Sequence, residues 1–239
     1  MISIGIPNFN RTDFVIESFI QVINNENIDD IVIVDDCSSY EKFLELSKLI
    51  NILDNSKIKL YRNDVNLKPL LNKYETVKKC KNDWVILLDS DNIINNDYID
   101  LILKLEKEDN ILYCPETLIT INNNGKGWCY NEFNNIIIDK TNAKNYIDVL
   151  NFETLLNTGN YFFNRKKYEE TIENNTKDTQ LSIADAIYFS YLWLLSENKI
   201  IVVPELKYTH RIHNGSYYIN NSIEYSNNTK IINSKIKEL

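Results

Sequence analysis

Short, unbroken apolar runs alternate with helical patterns over the first half of the chain. Ile2-Ser3-Ile4-Gly5-Ile6 predicts a buried strand stopped by Pro7, and Ile31-Val32-Ile33-Val34 predicts a second, β-branched throughout. Ile58-Lys59-Leu60-Tyr61 reads as a weaker third strand and Trp84-Val85-Ile86-Leu87-Leu88 as a fourth. Between them, Val15, Phe19, Val22 and Ile23 share one face of a helix that Thr12 or Asp13 can cap. Phe43, Leu46 and Ile50 mark a second helix, and residues 70–79 a third. Strands without polar alternation are covered on both faces, as in a parallel sheet flanked by helices. Strand–helix repetition at this spacing is the βαβ signal.

The second half is less regular. Residues 111–114 and 118–121 predict two strands, with Asn122-Asn123-Asn124-Gly125 as a turn after them. Ile136-Ile137-Ile138 is a short apolar run. A helix is expected over 181–196, with Ile183, Ile187, Tyr191 and Leu194 on its buried face, and a last core strand over 200–203. With no Pro/Gly/Ser-rich linker and no internal repeat, the pattern predicts one continuous domain whose second half forms a lid or a second binding face. The Asn-rich tail after Tyr217 is expected to pack loosely, with a Lys-containing helical end.

Composition sets the outer bounds. A chain of 239 residues is one large domain or two small ones, and 44% apolar with 25% charged is ordinary for a globular protein. Acidic residues outnumber basic ones 34 to 26, a net charge of −8 that argues against nonspecific nucleic-acid binding. No apolar run of about 18 residues predicts a membrane span, and no leader pattern opens the chain. The cytoplasm is the expected location, with peripheral membrane association if the partner is lipid-linked. Cys37, Cys80, Cys114 and Cys129 lack metal-knuckle or CxxC spacing, so reduced thiols are expected.

Position gives the polar clusters their meaning, because ligands of α/β sheets bind beyond the carboxyl ends of the strands. Asn8 and Asn10 follow the first strand, Asp35 and Asp36 the second, Asp89 and Asp91 the fourth. The carboxylates of Asp89-Ser90-Asp91 are hard oxygen ligands suited to Mg²⁺ or Mn²⁺ bridging a diphosphate. The plainer reading is a polar turn with Asp91 capping the next helix. Asp36 can accept from a ribose or a base N–H, whereas Ser38 or Ser39 can simply cap the following helix. The chain's two histidines fall in Thr209-His210-Arg211-Ile212-His213-Asn214-Gly215-Ser216, either a surface turn or a source of one imidazole for a metal at Asp91 and of Arg211 for a phosphate. Asp185, an acid in an apolar helix, is a general-base candidate or a hydrogen-bonded core Asp.

Read in order, these segments resemble family 2 glycosyltransferases of the GT-A fold. Ile4-Gly5-Ile6-Pro7-Asn8-Phe9-Asn10-Arg11 is similar to that family's opening strand and P-x-[YF]-N-R turn, and Ile33-Val34-Asp35-Asp36-Cys37-Ser38 to its V-D-D-x-S segment. Asn66 and the helix after it resemble the N-x-G-x-x-x-A-R-N block. Leu87-Leu88-Asp89-Ser90-Asp91-Asn92 resembles F-L-D-x-D-D, and residues 158–165 resemble the acceptor-side segment. Ala184-Asp185 stands at the family's Glu-Asp, and residues 211–216 resemble its late R-x-H-x-x-S stretch.

The resemblance implies an α/β GT-A fold, with a central, mostly parallel sheet flanked by helices and a small antiparallel acceptor-side part. It implies one catalytic domain over 1–216, divided into a nucleotide-sugar half (1–110) and an acceptor half (111–216), with 217–239 as a tail or helix. It further implies a metal-dependent, inverting transfer from a nucleotide-diphosphate sugar, UDP-linked, to a glycan, lipid-linked or protein acceptor. Pro7, Asn8, Phe9, Asp36, Lys73, Asp89 and Ser90 would then meet the nucleotide sugar. Asp91, with His213, would hold Mn²⁺ or Mg²⁺, and Asp185 would deprotonate the acceptor.

Six positions depart from the pattern: Lys68 for Gly, Asn72-Lys73-Tyr74 for Ala-Arg-Asn, Asn92 for the last Asp and Ala184 for Glu. These departures keep open a degenerate sugar-nucleotide or glycan-binding module. A DxD phosphohydrolase is disfavoured, since such enzymes carry the motif after the first strand with Thr or Val where Ile93 stands.

Overall fold

A computed structural model describes residues 1–121, 127–175, 179–213 and 221–239. The turn expected at 122–125, residues 214–216 of the late motif and the first residues of the tail lie outside this set. Among the described residues, eight strands join one sheet.

Its parallel half follows the expected alternation: β1 (Ile2–Asn8), α1 (Thr12–Phe19), β2 (Ile28–Asp35), α2 (Tyr40–Leu53), β3 (Ile58–Arg62), α3 (Lys68–Lys79) and β4 (Trp84–Leu87). β3, β2, β1 and β4 lie side by side, all parallel. Ile4, Ile6, Ile31, Ile33, Val85 and Ile86 are fully buried, so both faces are covered, as the missing alternation required. Gly5 leaves room for α3: a Cβ there would lie 3.1 Å from Thr76 Cγ2 and 3.4 Å from Cys80 Sγ.

Two local expectations are corrected. β1 runs through Pro7 to Asn8. Its pairing with β4 ends at Gly5, so the missing N–H of Pro7 faces no ladder, while pairing with β2 continues to Asn8. Neither Thr12 nor Asp13 caps α1; Arg11 holds the cap position without a side-chain bond, and the Thr12 hydroxyl donates to Lys42 O.

In the second half, α4 (Asn96–Leu103) leads to β5 (Ile111–Ile121), one long strand where two were expected. Pro115 does not end it. The register against β8 (Lys199–Arg211) shifts between Pro115 and Thr117, and Glu116 accepts from Glu205 N and Asn134 Nδ2 across that bulge. β6 (Trp128–Cys129) and β7 (Tyr161–Asn164) supply the antiparallel part. Ile138 meets Ile200 in an isolated bridge. α5 (Phe152–Leu156) and α6 (Arg165–Asn175) precede a 3-10 turn over Thr179–Ala184, after which α7 (Asp185–Leu195) begins.

α7 buries far more than the single face expected: Ala186 to Ser190 and Leu192 to Leu194 are all buried. The tail supplies one flank, with α3, α5 and α6 on the others. It forms α8 (Ser222–Lys237), which seats Ile232 and Ile236 in the core and packs along α7, the opposite of a loose end. All four cysteines are free thiols. No helix among the described residues is long and apolar enough to cross a membrane.

Candidate active site

The parallel register puts the carboxyl ends of β1, β2 and β4 on one edge, and they open into a cavity of about 760 Å³. Every candidate residue lines it: Pro7, Asn8 and Phe9 from β1 and its turn, Asp36 from β2, Lys73 from α3, Asp89, Ser90 and Asp91 beyond β4, Asp185 from α7, and His213 beyond β8. Arg11, Lys68 and His210 line it as well.

Buried neighbours shape each tip. Asp35 is fully buried and turns inward, accepting from Asn8 Nδ2 at 3.0 Å, Ser38 N at 3.0 Å and the Ser38 hydroxyl. Asp36 accepts from Asn63 Nδ2 (2.9 Å), Leu67 N (2.8 Å) and Lys68 N (3.0 Å), so it fixes the approach to α3 as well as facing the cavity. A carboxylate has about four lone-pair sites, which leaves one for a ligand N–H. Helix capping at this corner falls to Ser39, which accepts from Lys42 N. Asn8 Oδ1 is buried without a partner. Phe9 is 44% exposed and offers a bare aromatic face.

Asp91 does not cap α4; Asn95 does, accepting from Tyr98 N. One oxygen of Asp91, Oδ2, instead receives Arg11 Nη1 at 2.7 Å and His213 Nε2 at 2.9 Å. Burial raises its pKa, but the His213 hydrogen bond and the Arg11 charge outweigh that and hold it below the usual carboxylate value. Arg211 turns away from the cavity: it pairs with Glu17, lies over the Phe14 ring and donates to Asp91 O.

Asp89 and Asp185 share Lys73. The Nζ lies 3.0 Å from Asp89 Oδ1 and 2.8 Å from Asp185 Oδ2; the second contact is a close ion pair whose angles fall outside hydrogen-bond geometry. Burial disfavours the ammonium, yet the two carboxylates outweigh it and lift its pKa well above the lysine range. Burial raises the carboxyl of Asp89, the charges of Asp91 and Asp185 add to that, and Lys73 opposes it. Asp185 is the first residue of α7, not an interior one, so its carboxylate sits where the helix dipole favours an anion.

Four residues with no role assigned from sequence hold this geometry. Arg11, inside the quoted turn motif, neutralises Asp91. Asn160 Oδ1 accepts from Asp89 N. Gly159, at φ +71°, would place a Cβ 2.8 Å from Asp89 Oδ2. Asn92 Oδ1 accepts from Arg211 N and meets His210 Nδ1 at 3.0 Å, tying the DxD turn to β8. The departure of Asn92 from an acid thus has a structural use.

Asp91 and His213 form an oxygen–nitrogen donor pair that Mn²⁺ or Mg²⁺ accepts when phosphate oxygens and water supply the rest. The described residues contain no cluster of three or more His, Cys, Asp or Glu side chains able to hold a metal. The residues present therefore fit an ion shared with a bound diphosphate rather than one caged by protein.

Residues 3–172 match the family described as Glycosyl transferase family 2. A Haemophilus influenzae protein described as an uncharacterized glycosyltransferase is 32% identical over 165 residues, covering 68% of this chain and 59% of its own. A Rickettsia bellii protein with the same description is 28% identical over 127 residues, covering 52% of this chain and 18% of its own. The chain thus spans less than two thirds of the length of these curated relatives. Among solved structures, S. aureus TarS 1-349 in complex with UDP-GlcNAc superposes with a TM-score of 0.66 at 16% identity, covering 98% of this chain and 66% of that one. GalNAc-T7 with UDP, GalNAc and Mn²⁺ gives 0.65 at 18%, covering 90% and 44%. At such identities the likeness shows the fold, which is the expected GT-A arrangement.

Proposed function

Because the chain belongs to glycosyl transferase family 2, we propose that it moves a sugar from a nucleotide-diphosphate donor, a UDP-sugar, to an acceptor hydroxyl with inversion at the anomeric carbon. The observation that carries this reading is the convergence of Asp36, Asp89, Asp91 and Asp185 on one cavity, with Arg11, Lys68 and Lys73 on its nucleotide side. Its volume suits a ligand of nucleotide-sugar size. TarS crystallised with UDP-GlcNAc, and GalNAc-T7 with UDP and Mn²⁺, support the choice of donor and ion.

In this reading Pro7 and Phe9 meet the base, and Asp36 uses its remaining lone pair to accept the base N–H. Asp89 and Ser90 face the ribose or the sugar, with Lys73 beside them. Asp91 and His213 would hold Mn²⁺ or Mg²⁺, whose charge would offset that developing on the leaving diphosphate. Arg11 adds a second positive charge at the same end. Asp185 accepts the acceptor's proton as its oxygen attacks from the side opposite the diphosphate, a role that contributes about 10²–10⁴ in rate. The acceptor is a glycan, a lipid-linked sugar or a protein, bound against the second half of the cavity.

The test is UDP binding and UDP release from a panel of UDP-sugars, with and without Mn²⁺, in the wild-type chain and in Asp91→Ala. Metal-dependent binding that Asp91→Ala abolishes is expected. Unchanged UDP affinity in Asp91→Ala with Mn²⁺ present would remove the metal role. Binding without any release would leave a sugar-nucleotide-binding module in place of an enzyme.

A further inference from the structure

We propose that Lys73 is a positioning residue that ties the general base to the donor side of the cavity. This rests on the transferase reading above and assigns Lys73 a task beyond contact with the nucleotide. Its Nζ sits between Asp89 Oδ1 and Asp185 Oδ2, at 3.0 and 2.8 Å. Those two oxygens therefore cannot lie more than about two hydrogen-bond lengths apart.

The three residues come from separate parts of the fold: Asp89 follows β4, Asp185 opens α7, and Lys73 projects from α3. Each element is itself fixed. α3 lies against β1 at Gly5, where Thr76 and Cys80 close the gap. Asn160 holds the Asp89 amide. Gly159 walls the cluster so closely that a methyl group would strike Asp89. The Lys73 side chain is only 11% exposed, so little water screens the two contacts.

Removing the ammonium would leave two carboxylates facing each other in a partly buried corner, where their side chains are 26% and 17% exposed. Like charges so placed repel, and the one at the helix end is free to turn outward. Asp185 would then point away from the site where the sugar meets its acceptor. A misplacement of about 1 Å costs on the order of 10²-fold in rate when the reaction depends on alignment. Donor affinity, set by Asp36, Phe9 and Asp91, need not change. That split separates a positioning lysine from one that contacts nucleotide.

The experiment uses the full chain with Mn²⁺ and the best UDP-sugar of the panel, water serving as acceptor. UDP affinity is read by calorimetry, and kcat and KM by UDP release, for wild type, Lys73→Met and Lys73→Arg. We expect Lys73→Met to lower kcat at least about tenfold, with UDP affinity and donor KM within about twofold, and Lys73→Arg, which can still reach both carboxylates, to recover most of kcat. An unchanged kcat, or a loss lying wholly in UDP affinity and KM, overturns the proposal.

Thermal unfolding of Lys73→Met, Asp185→Asn and the double variant gives a reading that needs no donor. Asp185→Asn should restore part of the stability that Lys73→Met loses; strict additivity overturns the bridge. A wild-type chain that neither binds nor releases UDP overturns the transferase reading and the catalytic half of this one. The unfolding cycle still decides whether Lys73 couples the two carboxylates.

Discussion

Arg11 Nη1 lies 2.7 Å from Asp91 Oδ2, on the oxygen that His213 also meets. At the proposed metal site Arg11 and a divalent cation would therefore compete for one carboxylate. A diphosphate relieves the conflict, because its oxygens can take the guanidinium while the ion takes Asp91.

Arg11→Gln should consequently bind Mn²⁺ more tightly than wild type when no nucleotide is present. Hydrogen bonds to charged groups contribute about 1.5–3 kcal/mol, so a gain of roughly ten- to a hundredfold is expected. Electron paramagnetic resonance of free Mn²⁺ during titration measures it. Equal affinities would show that Arg11 does not occupy the ion's place.

Asp185→Asn should spare UDP binding and remove transfer. The amide keeps the shape of the carboxylate but cannot take a proton, so a loss of about 10²–10⁴ in kcat is expected. Calorimetry with UDP and a UDP-release assay separate the two effects. Full activity would reject Asp185 as the base.

Lys68 stands where the family pattern has Gly, and its backbone is held at φ 70°. A side chain in that region costs about 1–2 kcal/mol. Lys68→Gly should therefore raise stability by about 1 kcal/mol, read as a higher urea midpoint. The reverse change at Gly159 should do harm. Gly159→Ala meets both the +71° backbone and the Asp89 carboxylate 2.8 Å away, so it should lower the midpoint and displace Asp89. Stability unchanged in both variants would mean that neither backbone is strained.

His210 carries a pH signature. Burial lowers its pKa below the ordinary 6.5; the charges of Arg11 and His213 add to this, and Asp91 opposes it. Below 6.5 the unfolded chain binds a proton at His210 that the folded chain refuses. Stability is thus fully present above 6.5 and is lost as the pH falls toward the depressed folded value, by up to about 1.4 kcal/mol per unit. His210→Gln should flatten that part of the stability curve between pH 7.5 and 5.5. An unaltered slope would contradict the assignment.

The first half of the chain was legible because its signals are local. Ile31 to Val34 can only be a strand buried on both sides, and Asp36 then has to fall at its carboxyl end. Pro7 misled, since a strand that has lost one neighbour tolerates a missing N–H, and sequence does not tell which neighbour is lost. The second half depends on distant partners. α7 is apolar on nearly every side, and that all-round apolarity is the signal of a helix buried all round; what its sequence does not announce is that α8 supplies one of the flanks. Within the cavity the chemistry-bearing residue types could be named from their order. Their pairings could not: Arg11 with Asp91, Lys73 with Asp185 and Asn92 with His210 join segments far apart in the chain, and only packing brings them together.

α8 gives the order of assembly a direction. The first four strands can pair as soon as they leave the ribosome, and N-terminal structure generally forms first during synthesis. The helix that begins at Asp185 gains its second flank only when residues 222–237 have emerged. A nascent chain can thus shape the edge formed by β1, β2 and β4 early, while Asp185 at the start of α7 gains its full support only once α8 has been made.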